Sequence, residues 1–478
     1  MNNQLIKPMD FLNEAMPECN EEYPWTDLGD GKIFAHCYQN IVRYVPERES
    51  WYIYEDGIWK QDLGGLQTME YCKIMACALQ KYQEYVHPYR LRVDYGNHCR
   101  VWQRRSKRET VLKEAKGIMK TSIKNFDSDP FVLNCLNGTL NLHTMKFTPH
   151  NSADLLTKMA EVRYEPDVRC ERFEQFVTEI MSGDLEKARY LQKVMGYTLS
   201  GNTREECMFF LWGETTRNGK GTLCETVLKL MGSYGIGANP EVLAEPVHIN
   251  SHGPSEDIAR LAGVRYISMA EPRKGMLLNG AQIKQLTGND TISARYLHEN
   301  SFNFQMQGKI IVNTNYLPVI NDQTLFSSGR IIIIPFNRHF KEWEQDKDLK
   351  VEFAKPENRT GILNWMIEGY RMYREEGLTP PLSVATATGL YQEDSDDIDH
   401  FVQENLIATP NGEVRTAQVY GCYRIWCEDN GLLPESSKVF NAQLRMIGTV
   451  TRKRPRNGGA MTTLLLGYQL IHKDNTPA

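Results

Sequence analysis

Four short, unbroken apolar runs between Cys207 and Phe336 most constrain what this chain can fold into: CMFFLW, VRYISMA, KIIVN and RIIIIPF. Each has strand length, and none alternates apolar with polar residues, so both faces must be covered. Stretches of helical spacing separate them. The expectation is an α/β core, a parallel sheet flanked by helices.

The full chain has 478 residues, too many for one ordinary core, so flanking domains are expected. Residues 1–125 read as an N-terminal α+β domain. In it WYIYEDGIWKQD forms a hairpin around Glu55-Asp56-Gly57, and Met69, Cys72, Met75, Ala76 and Leu79 share a helix face. Residues 126–200 begin with strands turned at Asn137-Gly138. They continue as a helical stretch from Phe173 to Thr198, interrupted at Ser182-Gly183-Asp184. The core is placed at 201–345. A helical segment and linker with Pro380-Pro381 occupies 346–390, and a small domain fills 391–478. Its helices DIDHFVQENLI, AQVYGCYRIWCEDNG and SSKVFNAQLRMIG precede a basic turn and a last strand, the pattern of a winged helix.

Net charge is −5, which excludes a uniformly basic surface. Two local patches stand out. Residues 100–120 carry eight Lys/Arg against two Glu, and residues 438–457 carry six Lys/Arg and no acid. Patches of this kind suit a protein that grips a phosphate backbone at defined places; a solvated helix face explains the first almost as well. The eleven cysteines lack zinc-like spacing and read as free thiols in a reducing compartment. No apolar stretch is long enough to span a membrane, and the N-terminus lacks a signal-peptide core. A cytoplasmic location, in a bacterial host, is expected.

The first apolar run leads into WGETTRNGKGTLCETVLKLMG, a strand, a glycine-bearing loop and an amphipathic helix. A triphosphate needs converging backbone N–H groups, which Gly213, Asn218, Gly219 and Gly221 supply. It also needs a cation, Lys220, and the positive end of a helix. The loop departs from G-x4-G-K-[ST]: five residues follow Gly213, and Gly221 rather than a hydroxyl follows Lys220. Thr222 is therefore the candidate magnesium ligand. The alternative is a hairpin-closing turn.

Three further residues fall at strand ends in an order that suits an ATPase. Glu271 ends the second run, where a carboxylate can hold Mg²⁺ or orient water. Asn315 follows the third, where an amide can polarise water beside the γ-phosphate. Arg330 opens the fourth, where an arginine can reach a neighbouring subunit's nucleotide. Individually they also read as a solvated strand end, a turn residue and a surface ion pair.

Together with FVLNCLNGTLNLHTMKFTPHNSADLLTK, ERFEQFVTEIMSGDLEKARYLQKVMGYTLSGN and AEPRKGMLLNGAQIKQLTGNDTISARYLHENSFNF, these motifs resemble the phage and plasmid primase/helicase family. The resemblance is to its poxvirus-type N-terminal domain and superfamily 3 motor, strongly over about residues 50–340 and more weakly in the C-terminal domain. It implies an AAA+ P-loop ATPase that uses ATP and Mg²⁺ and assembles as a ring, usually a hexamer, on single-stranded DNA. It places Lys220 and Thr222 in the phosphate loop, Glu271 and Asn315 in the next two motifs, and Arg330 as a finger acting in trans. The segment with Arg295 and His298, supported by Lys284, resembles the DNA-contacting pore hairpin.

In the C-terminal domain Lys438 and Arg445 are candidates for the major groove of origin duplex. Arg452, Lys453, Arg454 and Arg456 are candidates for phosphate or the minor groove; a protein-docking winged helix is the alternative. The paired metal-binding carboxylates of a primase do not appear before residue 50, so the expectation is a motor without priming activity, working with a separate primase or loader. A replicative helicase, an origin-binding initiator with weak unwinding, and a packaging or remodelling ATPase all remain open at this point.

Overall fold

A computed structural model describes residues 7–246, 256–297, 300–432, 434–455 and 460–471. The N-terminal region is α+β. Helices α1 (Pro8–Ala15) and α2 (Asp27–Tyr38) precede a meander of β1 (Val42–Val45), β2 (Ser50–Glu55) and β3 (Ile58–Asp62). The Asp56-Gly57 turn has both residues at positive φ, the geometry of a two-residue hairpin. Next come α3 (Leu66–Tyr82), α4 (Tyr89–Val101) and α5 (Arg105–Ile118), with Cys72, Met75, Ala76 and Leu79 of α3 buried in their shared core.

A second meander, β4 (Val132–Cys135), β5 (Gly138–Asn141) and β6 (Lys146–Thr148), leads to α6 (Glu171–Ile180) and α7 (Leu185–Tyr197). The first turn is Leu136-Asn137, with Gly138 already paired to Cys135, one residue earlier than the sequence suggests. The break between the helices falls where Ser182 and Gly183 take positive φ and Asp184 caps the Lys187 N–H.

The four apolar runs become β7 (Met208–Trp212), β9 (Tyr266–Ala270), β12 (Lys309–Thr314) and β13 (Ile331–Pro335). Between them lie α8 (Lys220–Met231), β8 (Gly235–Ala238), α9 (Glu256–Ala259), α10 (Gly280–Thr287), β10 (Thr291–Ala294), β11 (Phe302–Gln305) and α11 (Thr324–Ser327). The fifth strand, β8, reads GIGA and carries too little apolar signal to be seen in the sequence. The sheet is wholly parallel, in the order β13-β7-β12-β9-β8.

Alternate residues of each strand enter two different cores. Phe209, Leu211, Ile311 and Ile334 pack with α6, α7, α8 and a long helix near the end of the core. Met208, Phe210, Ile267, Ile310, Val312 and Ile333 pack on the opposite face with Ile283, Leu286 and Leu325. Two covered faces are what unbroken apolar strands require.

After the sheet come α12 (Leu349–Phe353), α13 (Pro356–Glu376) and α14 (Leu382–Asp394). The closing unit is α15 (Asp397–Asn405), β14 (Leu406–Arg415), α16 (Thr416–Asp429), α17 (Ser437–Ile447), β15 (Val450–Lys453) and β16 (Thr462–Leu470), with sheet order β14-β16-β15. It has its own core around Phe401, Tyr423, Phe440 and Leu465. The sequence suggests only a hairpin after the helices. The third strand, β14, pairs along β16 and starts inside the stretch that reads as the first helix's end.

No helix among the described residues is long and apolar enough to cross a membrane. All eleven cysteines are free, eight of them buried. Among the described residues no cluster of His, Cys, Asp and Glu has the make-up of a protein-only metal site.

Candidate active site

The first strand of the sheet, β7, ends at Trp212, and the chain turns through 213–219 into α8. Gly213 must be glycine, because a Cβ there would lie 2.5 Å from the Phe336 carbonyl oxygen. Gly219 has φ +84, and a Cβ would lie 2.3 Å from Ile180 Cγ2 of α6. Asn218 is buried and braces the loop, its Nδ2 donating to the Thr215 carbonyl at 2.7 Å. A Cβ at Gly221 would meet nothing closer than Asn313 Nδ2 at 4.0 Å, so crowding does not require glycine there.

Lys220 opens α8 and is buried. Its Nζ donates to Asn315 Oδ1 at 2.8 Å and to the Gly213 carbonyl at 3.3 Å. Burial pulls this ammonium down to about 8, opposed by the nearby Glu271 carboxylate. Glu271 follows β9 with φ +51, its N–H bonded to the Asn313 carbonyl at 2.9 Å. It is exposed. Strand order explains the convergence: β7, β12 and β9 are neighbours, so the residues just past their ends meet at one edge of the sheet.

The structure thus gathers Gly213, Asn218, Gly219, Lys220, Glu271 and Asn315. It adds Asn313, which the sequence reading passes over; its Oδ1 is buried without a hydrogen-bond partner among the described residues. The signal lay in its place on β12, beside the tips of β7 and β9. It also adds the return after β13. His339 Nδ1 bonds to the Thr216 carbonyl at 2.8 Å, and the Phe340 N–H donates to the Arg217 carbonyl at 2.9 Å. Only the pairing of β13 with β7 brings that segment against the loop.

The donor types suit a hard divalent cation: a hydroxyl at Thr222, a carboxylate at Glu271 and the Asn313 oxygen, which has no hydrogen-bond partner among the described residues. One carboxylate and a hydroxyl suffice for Mg²⁺ when phosphates complete its shell.

Arg330 stands at the opposite end of the sheet, before β13, whose first residue pairs with the first of β7. Its Nη2 contacts Glu206 Oε2 at 2.8 Å, and its Nη1 donates to Thr287 Oγ1 at 2.7 Å. From there it does not approach the 213–219 loop.

The DNA candidates divide. Arg295 follows β10 at the mouth of the β10–β11 hairpin and is half-buried. Lys284, on α10, is paired with Asp322 at 2.7 Å rather than pointing along that hairpin. Lys438 and Arg445 are exposed on α17, whose Phe440 and Leu444 face the core. Arg452 and Arg454 are exposed, while Lys453 is paired with Glu413 at 2.6 Å. His298 and Arg456 lie outside the described residues. In the basic stretch 100–120, Arg105 pairs with Glu109, Lys107 with Asp27 and Asp30, and Arg108 caps the Trp102 and Gln103 carbonyls. Much of that charge is spent within the fold.

Residues 31–182 match the family described as "D5 N terminal like". That match covers less than half of the chain. Among proteins similar to this chain is the helicase-named L207/L206 of Acanthamoeba polyphaga mimivirus, 25% identical over 69% of the chain and 37% of the relative. The helicase-named 022R of Frog virus 3 is 27% identical over 51% and 26%. "Primase D5" of Fowlpox virus is 24% identical over 53% and 33%. The matched part is thus about a quarter to two fifths of each relative's length. Among solved structures, the apo C-terminal region (305–718) of NrS-1 covers 92% of this chain and 99% of its own, at 12% identity and a TM-score of 0.48. A second form of that region reaches a TM-score of 0.49 at the same identity.

Proposed function

We propose that this chain is an ATP-driven DNA helicase motor, serving replication of a phage or mobile element. In this reading it forms a ring, usually of six subunits, that moves along single-stranded DNA. One observation carries the reading: a buried lysine at the start of α8 bonded to an asparagine from the third neighbouring strand, with a carboxylate alongside. A buried ammonium without a salt-bridge partner is costly unless a ligand's negative charge repays it. Helicase- and primase-named relatives support the same class of activity.

ATP would seat its phosphates on the loop N–H groups at the positive end of α8. Lys220 would exchange Asn315 for a terminal phosphate oxygen. Asn315, released, would polarise the attacking water, and Glu271 would orient it and accept its proton. Thr222 and Glu271 would hold Mg²⁺, which neutralises charge on the β- and γ-phosphate oxygens when bound.

Ring assembly supplies what one subunit lacks. Arg330, which stands at the far end of the sheet, is assigned to a neighbour's nucleotide as an arginine finger. The β10–β11 hairpin with Arg295 is assigned to the strand in the pore. The closing unit, helix–strand–helix–helix–strand–strand, is read as a winged helix offering α17 to duplex DNA. A separate primase or loader would complete the machinery.

A forked-duplex assay tests this, with Lys220→Ala as the control. Strand separation should require ATP and vanish in the variant. Hydrolysis stimulated by duplex DNA without strand separation would replace the reading with an initiator or packaging ATPase.

A further inference from the structure

The basic stretch that begins at residue 100 is only partly consumed by the fold, and its remainder belongs with α4. Between Tyr85 and Arg105 the chain carries five arginines and one carboxylate, Asp94. Arg92 is committed to the Val86 carbonyl and to His87, and Arg105 to Glu109. Arg90, Arg100 and Arg104 are exposed and form no ion pair among the described residues. Nor does Asp94. The Arg100 guanidinium has one hydrogen bond, to Asn97 Oδ1 at 3.5 Å.

Helical geometry lines these groups up. Tyr95 and Cys99 of α4 enter the N-terminal core. Arg90, Val93, Asn97 and Arg100 share the opposite, exposed face. That face separates the two arginines by about 15 Å along the helix. Arg104 follows just beyond the helix end, its N–H bonded back to the Val101 carbonyl at 3.0 Å.

Two rings stand at the start of the same helix. Tyr89, its first residue, is 75% exposed, and Tyr85, in the turn before it, is 64% exposed. Tyr85 lies beside Tyr82, with 6.3 Å between ring centroids. Tyr89 makes no ring contact among the described residues. Solvation of a helix face requires neither ring.

Unpaired guanidinium groups along one face attract a phosphate backbone, single or double. Exposed rings add stacking on base faces, which are accessible only in an unpaired strand. A duplex keeps those faces stacked inside. The rings therefore favour a single strand.

We propose that this face of α4 binds single-stranded DNA outside the motor, with Arg90, Arg100 and Arg104 on phosphates and Tyr85 and Tyr89 stacked on bases. The site involves neither the 213–219 loop nor the β10–β11 hairpin, and it needs no nucleotide. It goes beyond the motor reading by giving the N-terminal region a grip of its own.

Fluorescence anisotropy of a labelled oligothymidylate on the full chain, without nucleotide and across a salt series, tests it. The triple variant Arg90→Ala/Arg100→Ala/Arg104→Ala should lower the slope of log affinity against log salt by about two, since each single-strand phosphate contact contributes about 0.7. Tyr85→Ala/Tyr89→Ala should weaken binding at least about fivefold at an unchanged slope, and Tyr85→Phe/Tyr89→Phe should restore it. The same alanine pair should leave duplex binding unchanged. All five side chains are exposed, so each variant should unfold at the wild-type temperature. No binding by wild type, an unchanged slope in the triple variant, or equal loss of duplex and single strand in the tyrosine variant overturns the assignment. Any of these leaves the motor standing if wild type still separates strands with ATP. Failed strand separation with the expected slopes overturns the motor alone.

Discussion

Lys220 Nζ and Asn315 Oδ1 lie 2.8 Å apart although 95 residues separate them in sequence. The bond ties the start of α8 to the residue just past the end of β12. Removing either partner should have a different effect. Lys220→Ala should abolish nucleotide binding in a calorimetric titration. Asn315→Ala should leave binding within a few-fold but slow hydrolysis by about 10²–10³, the range for losing one positioned dipole. Equal loss of binding in both variants would reduce Asn315 to a structural role.

Because burial brings Lys220 down to about 8, the free site loses its charge as pH rises through that value. A bound polyphosphate favours the charged form and raises the amine's pKa. Binding should therefore take up protons above that pH, and affinity should fall with rising pH. Titrations at a pH of about 8.5 in buffers of different ionisation heat measure the uptake directly. No buffer dependence would mean that the ammonium does not meet the ligand.

Arg330 has two roles to separate, its contacts with Glu206 and Thr287 inside the subunit and its proposed reach to a neighbour. Arg330→Ala should lower stability by about 1–2 kcal/mol, since the pair is only partly buried. Glu206→Gln should lower stability by less and leave hydrolysis intact. Mixing Arg330→Ala with Lys220→Ala, each inactive alone, should restore part of the hydrolysis, because a mixed site can join an intact Lys220 to a neighbour's intact Arg330. No recovery on mixing would remove the finger.

Two buried cations at the start of sheet strands hold the segments that lead into the sheet. Arg265 donates to the Leu199 and Val132 carbonyls, each at 2.8 Å, and lies over the Tyr234 ring. Lys309 is held by the carbonyls of Ser200, Asn202 and Gln307, and burial, with Arg265 nearby, keeps its pKa well below the usual lysine value. Arg265→Met leaves two carbonyls unsatisfied and should cost about 2–3 kcal/mol in chemical unfolding. A cost near zero would show that the junction is held by apolar packing alone.

On the closing unit, replacing Lys438, Arg445, Arg452 and Arg454 by Ala should flatten the salt dependence of duplex binding by about one unit of slope per lost phosphate contact. Lys453→Ala should change it less, because Glu413 already neutralises that charge. An unchanged slope in the fourfold variant would favour protein docking.

Composition and local pattern decided much of this molecule before any long-range contact. Unbroken aliphatic runs can only be strands covered on two sides, so the parallel core was legible, and so was the lysine that follows a glycine-bearing turn. Glu271 and Asn315 could be named because strand ends are visible one strand at a time. Which ends meet is a different matter. Strand order brings β12 and β13 to either side of β7, and with them Asn313 and His339, residues with no local signature. The same holds for charge: Lys284, Lys107 and Lys453 look like free cations along the chain and find Asp322, Asp30 and Glu413 only when folded. Periodicity is a property of neighbours in sequence, whereas pairing and convergence depend on neighbours in space.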